Sequence, residues 1–305
     1  MNFLKRPLDS CAIGLSISES DDSAIRGFPP WQVNRVTLQV VEALFSQGAG
    51  VVFGHDWRDD GVMETIHSFA RQMQSPIPLP RAEAEAIGQP LLRNVLPWPD
   101  RPHLSEGDIA RLTSTLSVEL AGLPAELAAL EAAASSAGKG SASFRYVRSR
   151  GLTHLRHRLD SLSDARLCLG GRRSGSSGRY PGVIEEAYLA LQSGTPLFLA
   201  GLLGGATKQV IDAIERKEMP DNFCPPTQLY DIYKWPPFAE NDPATQSDRV
   251  IEPTLVWSLF MEAGVSKLAA VNGLTREENE ELFHTPVLDR VIQLVLIALS
   301  RLRKN

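Results

Sequence analysis

Gly170-Gly171-Arg172-Arg173-Ser174-Gly175-Ser176-Ser177-Gly178-Arg179-Tyr180-Pro181-Gly182-Val183-Ile184-Glu185-Glu186-Ala187 is the stretch that decides how this chain is read. It follows an apolar run, Ala165–Leu169, and leads into a helical pattern, Val183–Leu191. Strand, glycine-rich loop and helix in that order make a place for an anion, because a helix N-terminus presents unpaired N–H groups and a partial positive charge. Gly170, Gly171, Gly175, Gly178 and Gly182 let the backbone approach a ligand closely. Arg172, Arg173 and Arg179 add charge suited to phosphate, and Ser174 and Ser176 add hydroxyls. Pro181 pre-sets the first helical turn. The loop is neither G-x-G-x-x-G nor a Walker A sequence. A solvated surface loop is the alternative, but so many glycines at one strand–helix junction are costly without a purpose. The acidic pair Glu185-Glu186 either directs one carboxylate to the loop or simply complements the dipole of the first turn.

Outward from this loop, short apolar runs alternate with helical patterns. Ala12–Ile17, Ala49–Phe53, Leu91–Leu96, Ala165–Leu169 and Pro196–Ala200 read as strands. Trp31–Ser46, Val62–Gln72, Val183–Leu191 and Ala206–Arg216 read as helices. The alternation predicts a mostly parallel sheet with helices on both faces. Continuous apolar strands agree with burial on both sides. Gly122–Ser143 reads as a helical insertion, with a helix over Ala125–Ala134 and then a flexible loop. Pro220–Pro253 carries seven prolines and little periodicity, and leads into a helix over Leu255–Glu262. Val287–Leu302 is an amphipathic helix, too short and too charged to span a bilayer. The expected organisation is one α/β unit over 1–219, with a proline-rich segment and helical C-terminal extension over 220–305 packed on it.

Ligands in such sheets bind beyond the carboxyl ends of the strands. Ser16-Ile17-Ser18-Glu19 follows the first strand, where Ser18 and Glu19 can meet a phosphate or ribose or can cap the next helix. Gly54-His55-Asp56-Trp57 through Gly61 follows the second. There Gly54 and Gly61 permit close approach and Asp56 can bond ribose hydroxyls; the alternative is a solvated turn. Arg150–Arg158 is a basic helical segment whose arginines reach a phosphate or the acidic pair, or face solvent. His154 and His157 are three apart, but no third ligand accompanies them, so no metal is expected.

The net charge of −5 argues against a general nucleic-acid binder. Three cysteines without a C-x-x-C leave neither a disulfide framework nor a cysteine zinc site, and Met1–Ser10 lacks the apolar core of a secretory signal. A cytoplasmic protein with no membrane segment and no bound cofactor is the expectation.

The order of these pieces resembles the SLOG superfamily of Rossmann-like domains, which includes the Lonely Guy cytokinin-activating phosphoribohydrolases. Phe53-Gly54 and Gly61-Val62-Met63 are similar to the family's Gly-Leu-Met-Gly segment, with Glu64 in place of the final glycine. Thr153-x-x-Arg156-His157 ahead of Asp164-Ala165 is similar to its Met-x-x-Arg-Lys helix. Gly170-Gly171 and Gly182-Val183-Ile184-Glu185-Glu186 resemble the two ends of its Pro-Gly-Gly-x-Gly-Thr-x-x-Glu motif. The resemblance runs from about Ala12 to Ala213. It implies Glu186 as the catalytic carboxylate, Arg156 as the active-site arginine and a homodimer. An inserted segment, Arg172 to Pro181, splits the glycine motif, and Val183 stands where the family has threonine. The added arginines imply a larger or more charged ligand, such as an ADP-ribose or NAD derivative, of the kind that other SLOG branches sense in nucleotide-signalling and antiviral systems. Two functions follow: a nucleotide N-glycosidase, or a non-catalytic sensor of a nucleotide-derived signal.

Overall fold

The computed structural model describes residues 6–54, 62–73, 91–99, 107, 115–220, 232 and 251–304. Six strands form one sheet: β1 (Ala12–Ser18), β2 (Gly50–Phe53), β3 (Leu92–Leu96), β4 (Leu116–Leu120), β5 (Ala165–Gly170) and β6 (Leu197–Ala200). Their order is β4-β3-β2-β1-β5-β6 and every pairing is parallel. The α/β, Rossmann-like architecture read from the sequence is therefore the one observed.

Alternation along the central strands sends side chains to two different layers. Ile13, Leu15 and Ile17 of β1, with Ala165, Leu167 and Leu169 of β5, face one core. Two helices close that side: α1 (Pro30–Ser46), which buries Val33, Val36, Val40 and Leu44, and α2 (Met63–Met73), which buries Met63, Ile66 and Ala70. Cys168, Leu197 and Leu199 face the other core. It is covered by α5 (Gly182–Ser193) and α6 (Gly205–Arg216). Gly14 and Ser16 of β1 and Arg166 of β5 alternate with the residues of the first core, so they lie on this second face. The apolar strands of the sequence thus hide a polar strip, and the site grows from it.

The edge strand β4 was not read from the sequence. Its residues, Leu-Ser-Val-Glu-Leu, alternate apolar and polar as suits a partly covered edge strand, and Leu120 is 54% exposed. The insertion is also tighter than expected. A 3-10 turn at Ala125–Leu127 runs into α3 (Ala128–Ala137), Gly138 turns the chain at φ +81°, and α4 (Ala142–Ser161) follows at once. Ser141 stops this turn from being a loose loop: its Oγ accepts the Phe144 N–H at 3.1 Å and caps α4. The expected flexible stretch is a capped connection.

The C-terminal helices complete both cores. α7 (Pro253–Asn272) extends beyond the expected helix, with non-helical backbone at Gly264, and buries Val256, Trp257 and Phe260 in the second core. By length and composition it could cross a membrane, but those side chains belong to the protein interior. α8 (Arg276–His284) was not foreseen, although Thr275-x-x-Glu278 spells a capping box and both of its hydrogen bonds are present. α9 (Leu288–Leu302) sends Val291, Leu294, Val295 and Ala298 into the first core, beside α1.

Candidate functional site

The sheet order reverses beside β1: β2 lies on one side and β5 on the other. Such a switch point opens a crevice at the carboxyl ends of the strands. Here the switch point is where β1 and β5 end, at the register partners Ser18 and Gly170. Gly170 (φ +68°) and Gly171 (φ +88°) turn the chain away from the sheet. Only glycine fits this turn. A Cβ on Gly170 would sit 2.2 Å from the Ser18 carbonyl oxygen, and one on Gly171 would sit 2.5 Å from Val183 Cγ2. The Gly171 N–H donates to the Ser18 carbonyl at 3.0 Å, and its own carbonyl accepts the Ala206 N–H at 2.8 Å. The loop root is thereby tied to β1 and to the start of α6.

α5 begins at Gly182 after Pro181, and no side chain caps it. Its opening N–H groups are thus left for an anion. Arg156 reaches from α4 to the underside of this terminus. A Cβ on Gly178 would meet its Nη1 at 2.5 Å and one on Gly182 its Nη2 at 3.2 Å. Two of the loop glycines therefore make room for a guanidinium.

The adjacent glutamates part company one turn into α5. Glu185 is fully buried: it accepts the Thr153 hydroxyl at 2.6 Å and the Arg156 guanidinium, and Arg179 Nη2 lies 3.4 Å away. Burial pushes its carboxyl up, but the charges of Arg156 and Arg179 and these hydrogen bonds outweigh it and hold the carboxyl below its ordinary value. Glu186 instead reaches back to the sheet. Its Oε2 accepts the Ser16 hydroxyl and lies 3.3 Å from Arg166 Nη1, while Oε1 is 3.8 Å from Arg156 Nε. Arg166 Nη1 also donates to Ser16 Oγ at 3.1 Å. The Arg166 side chain is only 1% exposed and that of Glu186 is 17% exposed. The arrangement is a buried set of arginines and hydroxyls with one carboxylate still reachable from outside.

Residues 7–282 match the family model described as SLOG cluster2. This chain belongs to the SLOG cluster2 family. No curated protein and no solved structure matches it. Membership points to a nucleotide-related binding or processing domain.

Within this SLOG chain, the residues picked from sequence fall into three groups. Glu186, Arg156, Gly170, Gly171, Gly178, Gly182 and Ser18 lie at or under the switch point. Arg172, Ser174, Gly175 and Glu19 are exposed at its rim. Arg173 is there too, its N–H and Nε donating to Asp21 Oδ2 at 2.9 and 3.2 Å, and Ser176 Oγ donates to the Gly178 carbonyl at 3.3 Å. Two readings are corrected. Arg179 is no rim phosphate ligand: it is 2% exposed, pairs with Glu185 and lies 5.2 Å from the Tyr180 ring centroid. Gly54 follows β2 under α4, where a Cβ would meet Leu159 Cδ1 at 2.9 Å, so packing explains that glycine. Asp56 and Gly61 lie outside the described residues.

Arg166 was the residue missed. Its signal was present: a lone charge inside Ala165–Leu169, an otherwise apolar strand. Such a charge has to be paired when buried. Cys168 on the same face is no nucleophile, because burial pushes its thiol up to about 12. Among the described residues no three His, Cys, Asp or Glu side chains form a metal cluster. Two surface hollows lie elsewhere: one of about 220 Å³ lined by Arg93, Ser117 and Arg158, and one of about 530 Å³ along α9. Neither touches the switch point.

Proposed function

We propose that this SLOG domain binds a phosphorylated ribonucleotide-type ligand at the β1–β5 switch point and hydrolyses its N-glycosidic bond. The ligand class is ADP-ribose, an NAD derivative or a nucleoside monophosphate. The observation that carries this reading is the uncapped start of α5 with the reachable Glu186 one turn below it. That separation is about 6 Å along the helix, comparable with the reach from a 5′-phosphate to the ribose C1′. Phosphate takes the N–H groups of Gly182 and Val183, with Arg172 and Arg173 at the rim. Glu186 faces C1′. As the C1′–N bond breaks, the base leaves with the bonding pair, and the carboxylate stabilises the cationic sugar. Water then adds to C1′ while Glu186 accepts its proton, which passes to the departing base. Ser16, Arg156 and Arg166 hold the carboxylate in place.

A second reading, a non-catalytic sensor of a nucleotide-derived signal in a stress or antiviral pathway, draws on one observation. Val183, buried against Gly171, offers no hydroxyl to phosphate. We place the protein in the cytoplasm, where the buried free thiols of Cys11 and Cys168 persist.

The test is a thermal-shift panel of AMP, ADP, ADP-ribose, cyclic ADP-ribose, NAD and cytokinin monophosphates, with base release followed in the same samples. A ligand well above its dissociation constant raises Tm by several degrees. Glu186→Gln is expected to keep the shift and lose base release. A shift without turnover in the parent protein selects the sensor. No shift from any ligand overturns the site.

A further inference from the structure

Two arginines stand on one row of the sheet. The register runs Ser117, Arg93, Val52, Gly14, Arg166 across β4, β3, β2, β1 and β5, so these residues share one face. Arg166 is provided for, since it donates to Ser16 and Glu186. Arg93 is not. It is half-buried beside the apolar Val52 and Val95, and among the described residues it makes no hydrogen bond and no ion pair within 4 Å. The two carboxylates that act on it are committed elsewhere. Glu119 is gripped by Arg158 Nε and Nη2 at 2.6 and 3.0 Å, and Asp164 accepts the Ala12 N–H at 2.7 Å. Burial pushes the Arg93 guanidinium below its ordinary pKa, and Asp164 and Glu119 only partly offset that push. A guanidinium kept short of both water and a counter-charge is disfavoured until an anion joins it.

Arg93 opens into the hollow of about 220 Å³ at the C-terminal end of α4. Its register partner Ser117 lies beside it, exposed, with a hydroxyl that makes no hydrogen bond among the described residues. Val95 and Leu162 give the hollow an apolar wall. We propose that this hollow binds a small monocarboxylic acid, with its carboxylate on Arg93 and the Ser117 hydroxyl and its short apolar body on Val95 and Leu162. The charge of the lining selects that class. Arg93 and Arg158 against Glu119 leave one positive charge, which one carboxylate balances. A phosphate group, at about −1.5 to −2, would exceed it and crowd Glu119. Size agrees: pockets for drug-sized ligands begin near about 300 Å³, so the hollow holds an acid of a few carbons and not a nucleotide. It lies two strands from β1, and the inference does not depend on the ligand of the crevice.

Methyl NMR of the full chain tests it, with sodium butanoate titrated at constant ionic strength from about 0.1 to about 20 mM. The Val95 and Leu162 methyl signals are expected to shift and to saturate with a dissociation constant of about 1 mM. Inorganic phosphate should bind roughly tenfold more weakly. Arg93→Met should abolish the saturable shift. Because Arg93 has no hydrogen bond or ion pair to lose among the described residues, the same variant should unfold in urea at the parent's midpoint or above it. An arginine required by the fold would lower that midpoint. Glu119→Gln removes the carboxylate from the hollow and should reverse the preference, so that phosphate binds the more tightly. The inference is overturned by the absence of a saturable butanoate shift, by a shift that survives Arg93→Met, or by a parent chain that prefers phosphate. It is equally overturned by a lowered urea midpoint for Arg93→Met or an unchanged preference in Glu119→Gln.

Discussion

The floor and the rim of the crevice carry the same residue types and obey different physics. On the floor, Arg156, Arg166 and Arg179 are almost fully buried and face Glu185, Glu186, Ser16 and Thr153. On the rim, Arg172 is exposed, and the Arg173–Asp21 pair is 40% and 38% exposed. A surface pair contributes about 0–1 kcal/mol, whereas removing one member of a buried pair costs about 3–5 kcal/mol. The floor is therefore built by folding and holds its geometry before any ligand arrives. The rim stays available to a ligand. Three arginines of one loop, Arg172, Arg173 and Arg179, are thus divided between two tasks.

The comparison is broken most directly at Glu185. Glu185→Gln removes the counter-charge of two buried guanidiniums while keeping the side-chain size. A loss of about 3–5 kcal/mol in urea unfolding is expected. The pH dependence has a definite sign. The carboxyl of Glu185 is held below its usual value of 4.5 in the folded state. Its contribution is complete above that unfolded value and is lost as pH falls through the lower folded value. Parent-chain stability should therefore fall in that acid window, and the Glu185→Gln variant should lose part of that slope. A variant as stable as the parent, with an unchanged acid limb, would show that the floor is not held by charge.

Two glycines sharpen the same contrast at smaller amplitude. Gly171 and Gly175 both have positive φ, +88° and +72°. A Cβ on Gly171 would strike Val183, while one on Gly175 would meet nothing within 4 Å. Gly175→Ala should cost about 1 kcal/mol, the backbone penalty alone. Gly171→Ala should cost about 2–4 kcal/mol, because overpacking adds to that penalty. Equal losses in chemical denaturation would mean that loop root and loop tip are equally pliable.

The same division explains what was legible in the sequence. The parallel sheet could be read because β1, β2, β5 and β6 are apolar runs set between helical patterns. The crevice could be read because glycines that free the backbone gather at one strand end. The floor was harder to read, because it is assembled from pieces distant along the chain: Ser16 lies 170 residues from Glu186 and Thr153 lies 32 from Glu185. Nothing local in Arg-Arg-Ser-Gly-Ser-Ser-Gly-Arg says that its last arginine turns inward. That follows only once α4 delivers Thr153 and Arg156 beside α5. Arg166 was concealed for a related reason: strand periodicity ranks it as an interruption of an apolar run, and only the register opposite Gly14 gives it space. The edge strand β4 and α8 are short, and each carried its signal in a few residues: the alternation Leu-Ser-Val-Glu-Leu in β4 and the capping box of α8.

The smallest expected effect discriminates between the two arginines of the rim. Arg172→Ala and Arg173→Ala should each change unfolding free energy by less than about 0.5 kcal/mol, since neither is buried. Their effects on a phosphorylated ligand should differ. Arg173 already holds Asp21 through its N–H and Nε, so a phosphate gains its guanidinium only by releasing a carboxylate. Arg172 has no such commitment among the described residues. Titration calorimetry at low salt should therefore show a loss of roughly five- to tenfold in affinity for Arg172→Ala and a smaller loss for Arg173→Ala. Asp21→Asn should reverse the sign and tighten binding, because it removes the competing anion. Added salt should shrink all three differences, as these charges face water. If Asp21→Asn weakens binding instead, the carboxylate orients Arg173 rather than competing for it, and the rim is as preorganised as the floor.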